Sequence, residues 1–177
     1  MGIMRKLKRI TTIEEALKAL TGNSDVLEHI PKRSQSPETC FAVVRMDGEA
    51  LKYVPEELIT QELCLTAVQN SGWAFKYVPE EFITQELCLS AVQQDGLLLY
   101  FVPQKLRTLE ICLAAVQNNS LALEYMPEEF MTREICLTAV QSEDRALYYV
   151  PKALITPEFL AAAGIDDYED YNGDDED

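Results

Sequence analysis

The stretch from Gln61 to Thr84, QELCLTAVQNSGWAFKYVPEEFIT, decides the fold because the chain repeats it at a fixed period, in close and in more divergent copies. Five further copies and one partial copy keep the same frame: residues 13–36, 37–60, 85–108, 109–132, 133–156 and 157–165. A proline recurs every 24 residues from Pro31 to Pro151, so no insertion interrupts the series. Self-similarity at such a short fixed period is the signature of stacked structural repeats.

Each copy carries a signal for the start of a helix. A Ser or Thr ends each unit and a Glu follows two residues later, as Thr60 and Glu62 illustrate. The hydroxyl can accept a hydrogen bond from the free N–H groups of the first turn, and the carboxylate interacts favourably with the helix dipole. This pattern predicts an α-helix from about Gln61 to Asn70, with apolar residues on more than one narrow stripe.

The rest of the unit predicts a turn and a second, shorter helix. Asn70, Ser71 and Gly72 are residue types that tolerate left-handed backbone and end helices. The short helix follows over Ala74 to Val78, and Pro79 ends it. Each unit is thus a helical hairpin too small to bury its own apolar surface. We predict an all-α fold, an α-solenoid of tandem 24-residue helical hairpin repeats.

A leucine-rich repeat is the alternative that has a similar period. That motif needs Leu and Asn at two positions where this chain has Thr60 and Val68. The mismatch at both positions favours the α-solenoid.

The repeat text also resembles a known family. The run CLTAVQNSGWAFKYVPEEF at residues 64–82 returns as CLSAVQQDGLLLYFVPQKL at residues 88–106. These runs resemble the short tandem helical repeats of a family of unknown function found in bacterial proteins, including effector-type ones, and in viral proteins. The resemblance covers Pro37 to Thr156 well. It implies tandem helical repeats and brings no catalytic residues.

Charge limits the classes of partner. Thirty acidic residues against fifteen basic ones give the chain a net charge of −15. Such a field disfavours nucleic acid and anionic membranes as partners and fits a basic protein better. The basic start, Met1 to Arg9, lacks the apolar core of a signal peptide, and no run approaches the roughly 20 apolar residues of a membrane span. We therefore predict a cytoplasmic protein, or one delivered into a host cytoplasm, and leave its oligomeric state open.

Three segments follow from these patterns. The chain has 177 residues, of which 47% are hydrophobic and 25% charged, as in a soluble globular protein. The repeats predict a solenoid over residues 13–165, preceded by a basic segment at residues 1–12. Eight of the twelve residues from 166 to 177 are acidic, which predicts a disordered acidic tail.

No chemistry-bearing motif stands out. Five cysteines share one mid-helix position of successive units: Cys40, Cys64, Cys88, Cys112 and Cys136. Neighbouring helices would place them about 8–10 Å apart, beyond the Cα limit of about 7 Å for a disulfide. They lack the paired spacing of a zinc site, and the single histidine, His29, stands where other units carry an aromatic residue. We interpret the cysteines as buried apolar residues and predict no enzyme activity, no cofactor and no metal site.

Candidate partner-binding residues lie on the predicted surface. Stacking would align one row of carboxylates and one row of amides: Glu62, Glu86, Glu110 and Glu134, then Gln69, Gln93 and Gln117. A basic protein segment fits this strip, although the same residues also stabilise helices without any partner. The outward positions of the short helices carry the aromatic residues Trp73, Tyr100 and Tyr148, which either form an interface or are covered by a neighbouring turn.

These features predict a protein–protein interaction module, an adaptor or effector-type scaffold that binds a partner through its repeats. The alternative is a small acidic inhibitor or immunity-type protein that occludes a basic toxin or nuclease. An enzyme with an unrecognised site is the third hypothesis. Salt separates the first two, because binding to a basic target should be sensitive to salt whereas binding through Trp73 and its neighbours should not.

Overall fold

The computed structural model describes residues 35–165. The predicted basic segment at residues 1–12, most of the unit at 13–36 with His29, and the acidic tail at 166–177 lie outside the described residues. Between Gln35 and Ile165 all regular structure is helical and no strand occurs. The all-α fold of tandem 24-residue repeats is therefore confirmed.

One α-helix opens each repeat. In chain order these are α1 Pro37–Met46, α2 Gln61–Asn70, α3 Gln85–Gln94, α4 Leu109–Asn118, α5 Arg133–Ser142 and α6 Pro157–Ala163. The predicted bounds of α2 are correct. Each helix also begins as predicted, because the hydroxyl of the preceding Ser or Thr accepts a hydrogen bond from the N–H three residues later. For Thr60 and the Leu63 N–H the distance is 3.2 Å.

The second helix of each hairpin is a 3₁₀ helix of six residues, found at Gly48–Tyr53, Gly72–Tyr77, Gly96–Phe101, Ser120–Tyr125 and Asp144–Tyr149. A shorter 3₁₀ turn follows each proline, at Glu56–Leu58, Glu80–Phe82, Gln104–Leu106, Glu128–Phe130 and Lys152–Leu154. Because side chains three residues apart eclipse in a 3₁₀ helix, Phe75 and Val78 lie on one buried face.

The expectation of left-handed turns is wrong. Ser71, at the turn after α2, has φ −143°, which is extended backbone. Among the described residues only Gly164, after α6, has a positive φ, of 77°. In three of the turns an Asp or Asn side chain caps the following 3₁₀ helix instead. In one of these the Asp95 carboxylate accepts from the Leu97 N–H at 3.0 Å.

The chain divides into two compact units, residues 1–94 and residues 95–177. In the first unit α1, α2 and α3 pack beside one another with the 3₁₀ helices that follow α1 and α2. The buried side chains of the repeat at residues 61–84 are typical: Leu63, Cys64, Ala67, Val68, Ala74, Phe75 and Val78. The second unit has the same arrangement, and Phe159 of α6 is buried at its end. Within each unit, then, consecutive repeats stack as in an α-solenoid.

Glycine is required in the turns because backbones approach closely. A Cβ on Gly48 would lie 2.2 Å from the carbonyl oxygen of Ala67 in the next α-helix. In the second unit a Cβ on Gly96 would lie 2.2 Å from the carbonyl oxygen of Ala115. No side chain fits at such a distance, so Gly48 and Gly96 allow their two 3₁₀ helices to approach the backbone of the following α-helix this closely.

An amide side chain fastens the same junctions. The Asn70 side-chain oxygen accepts from the Gly48 N–H at 2.7 Å, and its nitrogen donates to the Arg45 carbonyl at 2.9 Å. Gln94 makes the equivalent pair of bonds to the backbone at Gly72 and Val68. In the second unit the Asn118 side chain accepts from the Gly96 N–H at 2.7 Å. We call the close glycine contact and this amide bridge together the junction lock.

Within residues 35–165, no helix combines the length and the apolar character that crossing a membrane requires.

Candidate functional site

The residues of the predicted carboxylate and amide rows are all exposed. The glutamates at 62, 86, 110 and 134 are the second residues of their helices, and the glutamines at 69, 93 and 117 are the ninth. Along one helix, seven residues of rise correspond to about 10 Å. Because seven residues are close to two full turns, the glutamate and the glutamine of each helix lie on the same face, two turns apart.

The predicted aromatic residues are exposed rather than covered. Trp73, Tyr100 and Tyr148 are 41%, 61% and 70% exposed. In the first unit, the Lys76 ammonium lies 5.5 Å from the Trp73 ring centre and 4.9 Å from that of Tyr77. The same ammonium pairs with Glu49 at 3.4 Å. A cation thus already occupies part of the aromatic surface of the first unit.

In the second unit aromatic rings contact one another instead. Tyr100 packs edge to face against Phe101 at 5.0 Å and against Tyr125 of the next repeat at 5.4 Å. Tyr148 and Tyr149 form a similar pair at 5.4 Å. We call these five residues the aromatic row. Burial, together with the neighbouring Glu124, raises the pKa of both Tyr125 and Tyr149.

Arg107 holds part of the aromatic row in place. Its guanidinium donates to the carbonyls of Val102 at 2.9 Å, Tyr125 at 2.7 Å and Tyr100 at 3.3 Å. These carbonyls lie at the ends of two successive 3₁₀ helices, so one side chain fixes both. Sequence reasoning missed this role. The available signal was that Arg107 replaces the Ile or Met found at this position in the other described repeats.

A groove of about 590 Å³ lies between α4 and α5 in the second unit. Its lining is mostly apolar and includes Leu109, Leu113, Val116, Phe130, Ile135 and Ala139. Gln117 and Glu134 also line it, so the structure brings one predicted amide and one predicted carboxylate together there. The aromatic row is not part of the groove. A concave, apolar lining with a few polar groups is typical of binding sites.

The repeat itself contained a signal for the groove that sequence reasoning did not use. Leu109, which is 45% exposed, replaces Gln61, Gln85 and Arg133 of the other copies. Ala114 likewise replaces the Thr or Ser that α2, α3 and α5 carry at the sixth position of the helix. These changes make α4 more apolar than α3 and α5 at its first and sixth positions.

The five cysteines are buried, as predicted. Burial raises the pKa of each thiol to about 11. In the part of the chain that the structure describes, no three His, Cys, Asp or Glu side chains come together as metal ligands would. At neutral pH these cysteines are therefore uncharged packing groups.

Three segments of the chain match one family model, the Domain of unknown function (DUF4116): residues 36–83, 84–131 and 109–155, of which the last two overlap. Together they span residues 36–155 of the 177. The chain belongs to this family. The first two DUF4116 matches begin at the helix-capping residues Ser36 and Thr84, so each spans two 24-residue repeats. The prediction of a tandem repeat family of unknown function is confirmed. No curated protein and no solved structure is significantly similar to the chain.

Proposed function

We propose that this DUF4116 chain is a protein–protein interaction module that acts as an adaptor or effector-type scaffold in a cytoplasm. The observation that carries this proposal is the aromatic row of the second unit, because Tyr100 and Tyr148 are exposed there at a repeat position that varies from copy to copy. Exposed tyrosine is enriched at protein interfaces, and its rigid ring loses little entropy on binding. The proposal assigns no catalytic, cofactor or metal site.

Rigid support of the rings favours the same function. The Arg107 guanidinium joins two successive 3₁₀ helices, so Tyr100 and Tyr125 are held in contact before any partner binds. A binding surface that is already ordered loses less conformational entropy when the complex forms. Repeat scaffolds use this property to build extended surfaces from short units.

Charge favours a second candidate, an acidic inhibitor or immunity-type protein that covers a basic toxin or nuclease. The excess of fifteen acidic residues and the exposed glutamates at the helix starts would attract such a target. This candidate differs from the first in its salt dependence and in the residues that it needs.

Affinity co-purification from native lysate with mass spectrometry tests both candidates. The double variant Tyr100→Ala, Tyr148→Ala removes exposed rings, and the double variant Glu86→Lys, Glu110→Lys reverses two predicted carboxylates. The interaction module predicts a partner that withstands moderate salt, is lost with the tyrosines and is retained with the lysines. A single basic partner released by salt and by charge reversal would instead support the inhibitor. A partner set unchanged by both variants would exclude both surfaces.

A further inference from the structure

The junction between the repeats at residues 109–132 and 133–156 lacks both parts of the junction lock. The position of Gly48 and Gly96 is occupied here by Ser120, which is buried. The position of Asn70, Gln94 and Asn118 is occupied by Ser142, whose short side chain cannot bridge to the preceding repeat as an amide does.

The groove lies at this unlocked junction. Ser120, Ala139 and Ser142 all line it, and Ala139 is the counterpart of the alanines whose carbonyls contact Gly48 and Gly96. A side chain at residue 120 does not permit the 2.2 Å approach that glycine allows at the other junctions. Both substitutions thus lie at the junction where the groove opens between α4 and α5.

The polar rim of the groove has one sign of charge. Glu129 and Glu134 are exposed and line it, and no lysine or arginine is part of its lining in the described chain. Arg133, beside Glu134 in sequence, is engaged with α6. Its guanidinium donates to the Glu158 carbonyl at 3.3 Å and lies 5.9 Å from the Phe159 ring centre. The groove thus combines an apolar floor with exposed carboxylates that can form ion pairs with a basic ligand.

We propose that this groove binds a short amphipathic segment of a partner protein that carries both leucine-like and basic side chains. The apolar side chains enter between α4 and α5 beside Leu109 and Ile135, while Lys or Arg reaches Glu129 and Glu134. Insertion of an apolar helix face into a groove is a common mode of peptide recognition. This inference rests on the proposed function and adds to it the chemistry of the partner.

The test measures fluorescence anisotropy of a labelled amphipathic peptide of leucine and lysine with the full chain, at about 0.15 M salt where long-range attraction is screened. A peptide with every leucine replaced by asparagine keeps the charge and controls for simple attraction to an acidic protein. A second control peptide, with every lysine replaced by glutamate, tests whether binding needs basic side chains opposite the acidic rim. We expect only the leucine and lysine peptide to bind. Equal binding of either control peptide would overturn the proposal.

The variant Leu109→Gln tests whether the peptide binds in the groove. Glutamine stands at this position in two other copies of the repeat, so the helix tolerates it. Removing one apolar contact should weaken peptide binding about tenfold. The matched variant Leu121→Gln makes the same change outside the groove, at a repeat position that carries Arg145 in the next copy, and should leave the affinity unchanged. Equal affinity of Leu109→Gln and the unaltered chain would overturn the groove site.

Closing the groove provides an independent test. The double variant Ser120→Gly, Ser142→Asn restores the junction lock found elsewhere, and should weaken peptide binding while raising resistance to urea. Peptide binding that persists in a more stable variant would contradict the proposal. These results leave the aromatic row untested, and lysate partners lost with the tyrosines would still support the proposed function after a failure here.

Discussion

Removing a single amide should show how strongly one junction lock stabilises the first unit. Asn70→Ala deletes the acceptor of the Gly48 N–H, at 2.7 Å, and the donor to the Arg45 carbonyl, at 2.9 Å. Gly48 is buried against the next helix, so its N–H is left without an acceptor. An orphaned buried donor costs about 1–3 kcal/mol, and the second lost bond about 0.5–1.5 kcal/mol. Together they give an expected loss of unfolding free energy of about 1.5–4.5 kcal/mol.

Two neighbouring variants serve as controls for this prediction. Gln69→Ala removes an exposed amide from the same helical turn and should change stability by less than about 0.5 kcal/mol. Asn70→Gln should keep most of the stability, because Gln94 makes the same two bonds at the next junction. This comparison separates the hydrogen bonds from helix propensity, since both alanine variants gain in propensity.

Urea unfolding followed by circular dichroism measures these differences. If the dependence of the unfolding free energy on urea concentration is the same in all variants, a shift of the urea midpoint reports a change in stability. Similar midpoints for Asn70→Ala and Gln69→Ala would refute the argument that the amide bridge fastens successive repeats.

Three further expectations follow from particular contacts. Gly96→Ala should destabilise the second unit by about 1–3 kcal/mol because a Cβ would clash with the Ala115 carbonyl, and Ser120→Ala is its control in thermal melts. Arg107→Lys should lower the urea midpoint and change the near-ultraviolet signal of the tyrosines, since a lysine cannot reproduce the three guanidinium bonds; an unchanged signal would contradict this role. Burial raises the pKa of the buried thiols from 9.0 in the unfolded chain to about 11 in the folded one. The unfolded chain therefore loses its thiol protons first as the pH rises. The free energy of unfolding should be unaffected by the cysteines below pH 9 and should fall between pH 9 and pH 11, by up to about 1.4 kcal/mol per cysteine and pH unit. Urea midpoints over that range, with thiol titration before and after unfolding, test the cysteine expectation.

The fold was largely predictable because its determinants are local and repeated. Capping by Thr60 and the apolar pattern of the following ten residues fix α2, and each copy of the repeat confirms the same assignment. The proline after Val78 marks the end of the short helix in the same way. Such signals act within a few residues, so they can be read without knowledge of tertiary contacts.

The role of the turn residues could not be read in this way. Gly48 is compatible with a left-handed turn or with a close approach, and only the position of Ala67, nineteen residues later, distinguishes the two. Asn70 likewise resembles a helix-ending residue until its partner, the Gly48 N–H of the preceding repeat, is known. Contacts between repeats therefore determine which of two local interpretations is correct.

Residues that differ from the repeat pattern say more about function than residues that every copy shares. A residue shared by every copy, such as the glutamate at the second helical position, is explained by the helix that each copy must form. Leu109, Ser120 and Ser142 break the pattern at one junction, and the groove is found there. Arg107 breaks it beside the aromatic row. The other copies show what stacking requires, so we expect a departure that does not stabilise the stack to serve binding. Restoring the repeat residue at each departure is thus the substitution that separates binding from folding.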